Sequence, residues 1–528
     1  MTSRRDFLRG AGAASLVAAF PVPALHLPRR ARFDLVLRGG AVLDGTGAVA
    51  RVADVAVSAG RIAEVGEALA GTGAIELDVR GLAVAPGFID IHSHADGTME
   101  DDPAVESIVR QGITTAVVGQ DGGGRSVAEQ AGRVAAVKPA CNVAAMVGLG
   151  SLREAVIGEV NRPATADEVA RMRDLLALGL EAGACGASSG LEYTPGAFAT
   201  REELAAVCQP LSTRGLCYAS HMRNEDDRLL EAIDEAIAVA EGASCRLQVS
   251  HLKTQGPRNW SKIDDALARL EAARARGLDA AFDRYPYVAY QTTLANLFPA
   301  TARDGGSEAF LARLDDPALR TACLAKVELI GGWDNVQVSS VRSDADRSAE
   351  GQRLGSWAKA RGEEPYAATV ALLRRNEGQV GMVGFAMSED NLARFLAHPL
   401  GMVCSDGGAY ATSGPARRGH PHPRALGSFP RILGRYVRER RDLTLEQAVH
   451  KMSGFPASRL GLRDRGTVAP GLAADLVAFD PSSVSDRATF EDPFQYPVGI
   501  RVVAVNGQLA LRDGERTPAR SGAFVRPA

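Results

Sequence analysis

Cysteine is scarce in this chain, and so is excess charge of either sign. Its 528 residues include 7 cysteines, an odd number without a C-x-x-C pair, which does not suggest a disulfide framework. Most are expected as buried thiols, including Cys185 and Cys404 within apolar runs. The net charge of −3 offers no broad basic field, so nucleic acid is not an expected partner.

Two further features are missing, a phosphate-binding loop and an ordinary membrane span. The run Gly122-Gly123-Gly124 lacks a following Lys-Ser/Thr pair, so we expect a flexible turn there. The apolar run at residues 10–20 is too short to span a membrane. It lies between Ser3-Arg4-Arg5-Asp6-Phe7-Leu8 and Val22-Pro23-Ala24, a pattern typical of a twin-arginine export signal with its cleavage site. We expect residues 1–32 to be signal peptide and linker, and the mature protein to be periplasmic or secreted; a retained basic arm is the alternative.

Metal-binding residue types end four apolar, strand-like runs of the sequence. These residues are His92 and His94, His221, His251 and Asp406. In a parallel (β/α) barrel the strand ends share one face, so residues distant in sequence converge there. Imidazole and carboxylate suit zinc and similar divalent ions, and both rings of an H-x-H pair point to one side. Four of the 9 histidines fall at such strand ends, and the joint pattern predicts a catalytic metal site.

The residues around these positions form motifs in a definite order. They are Gly87-Phe88-Ile89-Asp90-Ile91-His92-Ser93-His94, Ser188-Ser189-Gly190-Leu191-Glu192-Tyr193, Ser250-His251-Leu252-Lys253, Ser405-Asp406-Gly407, His422-Pro423-Arg424 and Gly427-Ser428-Phe429-Pro430-Arg431-Ile432-Leu433-Gly434. The sequence resembles the amidohydrolase superfamily and, within it, the D-aminoacylases, which are N-acyl-D-amino-acid deacylases. The resemblance covers nearly all of the chain after the leader, and several motifs in family order are far more specific than any single one.

The resemblance implies an α/β fold: a (β/α)8 TIM-like barrel with a small β-sandwich domain built from both chain ends. Short β patterns with glycine-rich turns fill residues 33–86 and return in residues 466–528. Between them, residues 87–465 alternate strand-like and helical patterns, as a barrel requires. We expect an insertion near the active-site mouth at about residues 292–382. Further strands are predicted at residues 115–118, 144–147, 185–191 and 279–282, and helices at residues 166–182, 228–241 and 263–276.

The resemblance also implies how the ligands divide between two metal positions. His92, His94 and Asp406 would hold one position, and Asp121, His221 and His251 the other, with one or two zinc ions or another divalent metal bound. Asp121 departs from the family, which usually carries a metal-binding cysteine in a Gly-Asn-Cys-Gly turn; this chain has Gly119-Gln120-Asp121-Gly122. Aspartate is a harder ligand than thiolate, which leaves metal preference and affinity open. Alternatively, Asp121 only shapes a turn, since Asp-Gly is a common turn pair.

The ligand set suits hydrolysis of an amide bond. A bound zinc lowers the pKa of water to about 7 and polarises a carbonyl oxygen, which supplies both nucleophile and electrophile. Asp406 would take a proton from the attacking water and return it to the departing amine. Alternatively, Asp406 is a plain ligand or a turn-former. No lysine lies in the fourth strand run, residues 185–191, so a carboxylated lysine bridge of the dihydroorotase or hydantoinase type is not expected.

The carboxylate of an N-acyl amino acid needs cationic or hydroxyl partners. Arg424 is a candidate for a bidentate pair with it, while Lys253 and Tyr193 match family positions near the substrate. Tyr285 or Tyr287, after the seventh strand, would add a hydroxyl. The structural alternative for each is a solvated cation or a packed tyrosine with its hydroxyl at the surface.

These features favour a zinc-dependent amide hydrolase that releases D-amino acids from N-acyl-D-amino acids. A D-dipeptidase or a cyclic-amide hydrolase of the same superfamily would share the metal site and remains an alternative. A non-catalytic binding barrel is a third reading, although it gives no reason for candidate ligands to sit at strand ends. The expected partner is a small N-acyl amino acid or dipeptide.

Overall fold

The first strands of the chain form part of a β domain. The computed structural model describes residues 32–528, so the expected export signal lies outside the described residues. Five strands precede the barrel: β1 (Phe33–Val42), β2 (Arg51–Ser58), β3 (Arg61–Gly66), β4 (Gly73–Asp78) and β5 (Ala83–Pro86). A register shift between Leu37 and Gly40 divides β1, so that its first part pairs with β4 and its last residues pair with β5.

The barrel begins directly after β5. Its first seven strand positions are β6 (Phe88–Asp90), β7 (Ile113–Val118), β8 (Asn142–Ala145) with its continuation β9 (Val147–Gly148), β10 (Gly186–Gly190), β11 (Cys217–His221), β12 (Arg246–Val249) and β13 (Ala280–Arg284). Neighbouring strands pair in parallel. Their residues are almost all buried, because helices cover the outside of the sheet and side chains fill the inside. Continuous apolar runs in the sequence reflect this burial.

An inserted unit separates β13 from the last barrel strand. It contains an antiparallel sheet of three strands, β14 (Ala289–Thr293), β15 (Val336–Ser340) and β16 (Gly381–Phe385), with β16 in the middle. The sequence predicts this interruption at about residues 292–382. The inserted sheet extends a few residues beyond both of those limits, because β14 and β16, the first and last of its strands in the sequence, pair with each other along their length.

The last barrel strand, β17 (Gly401–Val403), pairs with β13 and closes the barrel. Two backbone hydrogen bonds join its end to the end of β6: the N–H of Asp406 donates to the carbonyl of His92 at 2.8 Å, and the N–H of His94 donates to the carbonyl of Gly407 at 2.9 Å. Closure therefore places the H-x-H pair of the first strand beside Asp406 of the last.

Helices connect the strands along the outside of the barrel and within the insertion. They are α1 (Glu106–Val109), α2 (Val127–Val137), α3 (Leu149–Val156), α4 (Ala166–Glu181), α5 (Arg201–Cys208), α6 (Leu229–Ala243), α7 (Ile263–Ala275), α8 (Gly306–Arg313), α9 (Pro317–Ile330), α10 (Leu354–Ala360), α11 (Pro365–Arg375), α12 (Glu389–Ala397), α13 (Arg424–Arg431), α14 (Leu445–Met452) and α15 (Gly454–Leu460). The three predicted helices correspond to α4, α6 and α7. Over residues 32–528, no helix is both long and apolar enough to cross a membrane.

The C-terminal strands return to the β domain. They are β18 (Leu476–Phe479), β19 (Ile500–Val505), β20 (Gln508–Arg512) and β21 (Glu515–Arg516). Antiparallel pairing of β18 with β5 joins both chain ends, and all the strands of this domain are hydrogen-bonded in one nine-stranded sheet. Side chains from both ends, such as Val55 and Leu476, share one apolar core. The predicted fold was a (β/α)8 barrel with a small β-sandwich domain built from both chain ends. It is confirmed as a barrel with such a β domain, whose strands all belong to one sheet.

Candidate metal centre

Asp121 stands at the centre of the ligand cluster. Its Oδ1 lies 3.3 Å from His92 Nε2, 3.6 Å from His221 Nδ1 and 3.5 Å from His251 Nε2, while its Oδ2 lies 3.4 Å from His94 Nε2. The histidines come from the ends of β6, β11 and β12, and Asp121 comes from the turn after β7. The structure therefore brings together all the histidines that the sequence indicates, and Asp121 faces both predicted groups instead of only one.

Asp406 completes the cluster from the end of β17. Its Oδ1 lies 3.2 Å from His94 Nε2 and 3.6 Å from His92 Nε2. Its other oxygen, Oδ2, accepts a hydrogen bond of 2.7 Å from Nη1 of Arg424. Burial alone would raise the pKa of Asp406, but the charge of Arg424 and of the nearby histidines outweighs burial and holds that pKa well below its usual range. Asp406 is thus a buried carboxylate whose charge is balanced by a buried guanidinium.

Three residues of the cluster have backbone in the left-handed region. Asp121 has φ 53°, His251 φ 36° and Asp406 φ 51°. Side chains with a Cβ rarely adopt such angles, and each instance costs about 1–3 kcal/mol. Backbone strain of this kind is common at functional sites. Here the strained residues are the ones whose side chains enter the ligand cluster after a strand ends.

Gly190 shows why small residues surround Asp121. A Cβ at Gly190 would lie 2.0 Å from the carbonyl oxygen of Asp121. Only glycine lets the end of β10 approach the turn after β7 this closely. The glycine in the Ser-Ser-Gly motif therefore has a packing role, which is to seat Asp121 against the neighbouring strand.

The cluster fits a divalent metal ion. Both ring nitrogens of His92, Nε2 of His221 and Oδ1 of Asp121 are buried and have no hydrogen-bond partner, among the residues described. Buried polar atoms normally have a partner. His92 Nε2 and Asp121 Oδ1 meet at 3.3 Å inside the cluster, whereas His92 Nδ1 and His221 Nε2 face the carboxylates of Asp283 and Glu192. Ligand atoms of His92, Asp121, His251 and Asp406 all lie within 4.8 Å of one another. These atoms are nitrogen and oxygen donors, a set that suits zinc and related divalent ions.

Glu225 is a member of the site that the sequence reasoning missed. Its Oε1 lies 3.1 Å from His251 Nδ1 and 2.6 Å from Lys253 Nζ, and Gln255 donates to its Oε2 at 2.7 Å. A carboxylate on Nδ1 orients the ring and leaves Nε2 of His251 for a metal. Burial would raise the pKa of Glu225, but Lys253 and His221 lower it overall. Its position four residues after His221, at the same strand end, was the available signal.

Two further buried carboxylates hold the strand ends from beneath. Asp283 accepts hydrogen bonds from the N–H of His251 and from the side chain of Gln248, each at 2.7 Å. Asp90 accepts from the N–H of Ser405 at 2.8 Å and also from its hydroxyl. Burial raises the pKa of Asp90 to about 7 even though these hydrogen bonds lower it. Both residues position the ligands and do not face the cavity.

A cavity of about 950 Å³ opens above the ligand cluster. Of the predicted substrate residues, Tyr193, Lys253, Tyr285 and Arg424 line it. Tyr193 packs its ring 4.7 Å from that of His221 and shares a hydrogen bond of 3.2 Å with Thr292 of the insertion. The guanidinium of Arg424 lies 4.7 Å from the centre of the Tyr285 ring. The hydroxyl of Tyr285 is buried and has no partner within the described part of the chain, so it is available to a ligand.

Tyr287, also predicted as a substrate residue, does not line the cavity. Its hydroxyl donates to the carbonyl of Pro423 at 3.4 Å, and its ring packs edge-on against His422 and Phe490. β13 ends at Arg284, so strand alternation no longer sets the direction of Tyr287. This prediction is therefore corrected: of the two tyrosines, only Tyr285 reaches the site.

His422 explains the His-Pro-Arg motif. Its Nδ1 accepts from the N–H of Arg424 at 3.0 Å, and its Nε2 lies 3.0 Å from the carbonyl of Ala289. Burial, and then the charge of Arg424, lower the pKa of His422 well below its ordinary value. A neutral His422 therefore ties the start of α13 to β14 of the insertion and fixes the direction of Arg424.

Comparisons with known proteins find relatives over nearly the whole chain. A model of the amidohydrolase family matches residues 405–510. N-acyl-D-glutamate deacylase of Alcaligenes xylosoxydans xylosoxydans is 37% identical over 499 residues, 90% of this chain and 93% of that protein. A crystal structure of N-acyl-D-glutamate deacylase from Bordetella bronchiseptica, complexed with zinc and a phosphonate inhibitor, has a TM-score of 0.79 at 35% identity and covers 94% of this chain and 99% of its own. A structure of D-aminoacylase, from work on the role of its binuclear metal centre, has a TM-score of 0.80 at 34% identity. The match covers 94% of this chain and 100% of that one.

Proposed function

Since the chain belongs to the D-aminoacylase family of amidohydrolases, we propose that it hydrolyses the amide bond of N-acyl-D-amino acids and releases the D-amino acid. One observation carries the proposal: the side chains of four histidines and two aspartates converge at the carboxyl end of a barrel, under a cavity that also holds Lys253, Tyr285 and Arg424. The first group suits a divalent metal, and the second suits a carboxylate.

The proposed cofactor is zinc, as one or two ions, held by the ligand cluster around Asp121. The zinc-bound relative and the binuclear centre of another relative support this proposal. Bound there, the ion supplies the Lewis acidity that activates water and polarises the amide carbonyl. The remaining roles in the proposed reaction belong to side chains of the protein.

Asp406 is the proposed proton carrier. It is ionised at neutral pH because Arg424 and the histidines lower its pKa, so it can accept a proton from the attacking water. Its Oδ1 faces the histidines, while Oδ2 is held by Arg424, so Oδ1 is the oxygen on the side of the attacking water that would take the proton and pass it to the departing amine. The short hydrogen bond to Arg424 keeps the carboxylate in one orientation throughout.

Lys253, Tyr285 and Arg424 are the proposed partners of the substrate carboxylate. The hydroxyl of Tyr285 and Nε of Arg424 are buried without partners, in the part of the chain that the structure describes. A buried donor that lacks a partner is costly, and a substrate carboxylate would satisfy both donors together. The charge of Lys253 is already matched by Glu225, so it contributes a further N–H donor and little net charge.

A hydrolysis screen tests this function. Purified protein of known metal content is offered N-acetyl-D-amino acids, the matching L-enantiomers and the D-amino-acid amides, which lack the carboxylate. We expect hydrolysis of the D-acids, with the L-acids and the amides much poorer. Hydrolysis of neither enantiomer by metal-loaded protein would refute the proposal.

We also propose that the protein is exported through the twin-arginine pathway to the periplasm or beyond. The support is the Arg4-Arg5 pair, the short apolar run after it and the plausible cleavage site. This pathway carries folded proteins, so the metal could be loaded before export.

A further inference from the structure

We propose that Arg284 is a positioning residue for substrate binding: it holds the Tyr285 ring and supplies a positive charge that attracts the substrate carboxylate to the Tyr285 hydroxyl. This inference rests on the proposed function and adds a residue that does not itself line the cavity. Three observations support it, namely the burial of Arg284, its contact with Tyr285 and the lack of a carboxylate beside it among residues 32–528.

Arg284 is built into the end of a barrel strand. It is the last residue of β13, and 1% of its surface is exposed. Its carbonyl accepts a hydrogen bond of 3.2 Å from the N–H of Cys404, just beyond the end of β17. Its Nη2 donates to the carbonyl of Tyr287 at 2.8 Å, so the guanidinium spans the turn that carries Tyr285. The side chain is therefore fixed where the last two barrel strands reach the site.

The Tyr285 ring separates Arg284 from the cavity. The guanidinium carbon of Arg284 lies 4.2 Å from the ring centre, compared with 4.7 Å for that of Arg424 and 5.9 Å for Nζ of Lys253. The electron-rich face of an aromatic ring attracts a cation at such distances, and more strongly where water is excluded. Tyr285 is buried and lines the cavity. Arg284 therefore holds the ring whose hydroxyl is available to a substrate.

The charge of Arg284 has no carboxylate within ion-pair distance in the described residues, and its Nε and Nη1 have no partner there. The two other cations around the ring do have one: Lys253 is paired with Glu225, and Arg424 with Asp406. Both still donate hydrogen bonds, but each pair carries little net charge. Charges interact over several ångströms in a protein interior, which screens them less than water does. A substrate carboxylate at the tyrosine hydroxyl would balance the charge of Arg284.

Asp283, the neighbour of Arg284 in the sequence, does not balance this charge. Consecutive residues of a strand point to opposite faces, so the two side chains diverge. Asp283 instead accepts a hydrogen bond of 2.7 Å from the N–H of His251. The charge of Arg284 acts on His422, where burial and Arg424 lower the pKa most and Arg284 lowers it further. It therefore reaches the motif that orients Arg424, on the substrate side of the site.

The first experiment compares a substrate with and without its carboxylate. The best N-acetyl-D-amino acid of the hydrolysis screen and its amide are offered to metal-loaded wild type and Arg284→Met, and compared by kcat/KM, or by Ki where the amide turns over too slowly. Methionine removes the charge, so the preference for the acid should fall at least about tenfold, mainly through KM. An unchanged preference would overturn this inference. Failure of the wild type to cleave any N-acyl-D-amino acid would instead refute the proposed function.

Arg284→Lys tests whether charge or packing is responsible. It keeps the charge but loses the planar contact with the Tyr285 ring, so it should retain more of the acid preference than Arg284→Met. Equal loss in both variants would overturn the proposed role of the charge.

Arg153→Met is the matched control that separates a role in binding from a role in folding. Arg153 is also 1% exposed, but it is paired with Glu203 and does not line the cavity. Its loss leaves Glu203 alone, so Tm should fall while the acid preference is unchanged. Arg284→Met should lower Tm much less, because it removes a buried charge that has no carboxylate partner in the described chain. An equal fall in Tm with an unchanged acid preference is the result expected of a purely structural arginine, and it would overturn the inference.

Discussion

At the scale of single residues, Asp406 and Arg424 are in contact. The sequence suggested separate roles for them, proton transfer for Asp406 and recognition of the substrate carboxylate for Arg424. Arg424 is expected to recognise the substrate carboxylate, yet its Nη1 donates to Asp406 Oδ2 at 2.7 Å. Both residues are buried, with 5% and 4% of their surface exposed. Arg424 therefore also tunes Asp406, the proposed proton carrier, and the two proposed roles should not separate fully on mutation.

Substitution of the pair tests this link. Asp406→Asn removes the proton acceptor, so kcat should fall at least about a hundredfold, within the usual scale for a general acid-base group. Arg424→Ala should raise KM most for substrates with a carboxylate. It should also shift the acidic limb of the kcat/KM profile to higher pH, because Arg424 lowers the pKa of Asp406 and its loss lets that pKa rise. Arg424→Lys keeps the charge and is the control for this shift. Near-normal kcat in Asp406→Asn, or an unmoved limb in Arg424→Ala, would contradict the assignment.

Asp121 carries a second residue-scale prediction. Its carboxylate oxygens lie 3.3 to 3.6 Å from ring nitrogens of His92, His94, His221 and His251. Its negative charge therefore acts on every histidine of the cluster. Asp121→Asn keeps the shape but removes the charge, and we expect metal affinity to fall at least about a hundredfold, beyond the usual loss for an outer-shell change. Equilibrium dialysis with metal analysis measures this directly.

Asp121→Cys is the matched variant, because it restores the residue usual in the family. Loaded with Co²⁺, it should show a thiolate-to-cobalt charge-transfer band that the wild-type protein lacks, since thiolate is the softer ligand. Full metal retention in Asp121→Asn, or a cobalt spectrum of Asp121→Cys identical to that of the wild type, would mean that Asp121 only shapes its turn.

The sequence indicated the ligands of this site but not the residues that support them. His92, His94, His221, His251 and Asp406 each end an apolar run, a pattern visible in one dimension. Glu225 lies in a loop after a strand that ends in a candidate ligand, so its distance of four residues from His221 is a weak signal, and its contacts with His251 and Lys253 identify it clearly. The prediction that Tyr287 contacts the substrate was wrong, because the direction of its side chain is set by a turn after β13 and not by strand alternation.

At the scale of elements, strand positions were more predictable than strand limits. The run at residues 115–118 became the end of β7, and the run at residues 185–191 contains β10. Buried parallel strands are apolar on both faces, so they stand out in the sequence. The three-stranded sheet of the insertion did not stand out, because β14 and β16 lie far apart in sequence and pair only through tertiary contact.

A buried ion pair between α3 and α5 gives a prediction at this scale. Arg153 Nε donates to Glu203 Oε1 at 3.1 Å, and the two side chains are 1% and 5% exposed. Removal of one partner leaves a buried charge alone, so Arg153→Met or Glu203→Gln should lower the free energy of unfolding by about 3–5 kcal/mol. The double variant Arg153→Met/Glu203→Leu should recover much of this loss, because an apolar pair can replace an ion pair. Denaturant unfolding measures all three; equal loss in the single and double variants would refute this account.

At the scale of the whole molecule, contacts of the C-terminal segments join the β domain to the barrel. The side chain of Asn142, at the start of β8, donates to Asp475 at 2.9 Å, and the N–H of Val143 donates to the carbonyl of Ala523 at 2.9 Å. The last residues of the chain therefore pack against a strand of the barrel. Because β18 also pairs with β5, the strands before and after the barrel are joined in one sheet within residues 32–528.

Export gives the first prediction at this scale. Replacement of both Arg4 and Arg5 with lysine should abolish the appearance of mature protein in the periplasm, because the signal is read through its arginine pair. Cell fractionation with an immunoblot follows the protein. The same variant should remain active in the cytoplasm, since the proposed site residues lie between His92 and Arg424 in the sequence, far from the replaced pair. Unchanged export of the double-lysine variant would contradict the twin-arginine proposal.

Metal binding should couple to both stability and pH across the whole molecule. Burial lowers the pKa of His221, but Glu225 and Asp121 outweigh it and raise that pKa to about 10, so at neutral pH a proton competes with the metal for this ring. Metal affinity should therefore rise with pH, and binding should release protons, which calorimetry in buffers of different ionisation enthalpy detects. A metal at about a thousand times its Kd adds about 4 kcal/mol to the free energy of unfolding, so chelation should lower Tm and metal return should restore it. The Asp121→Asn variant is the control, since its Tm should respond much less to the same treatment. A Tm that ignores chelation in the wild type, or binding without proton release, would show that the cluster does not hold the ion.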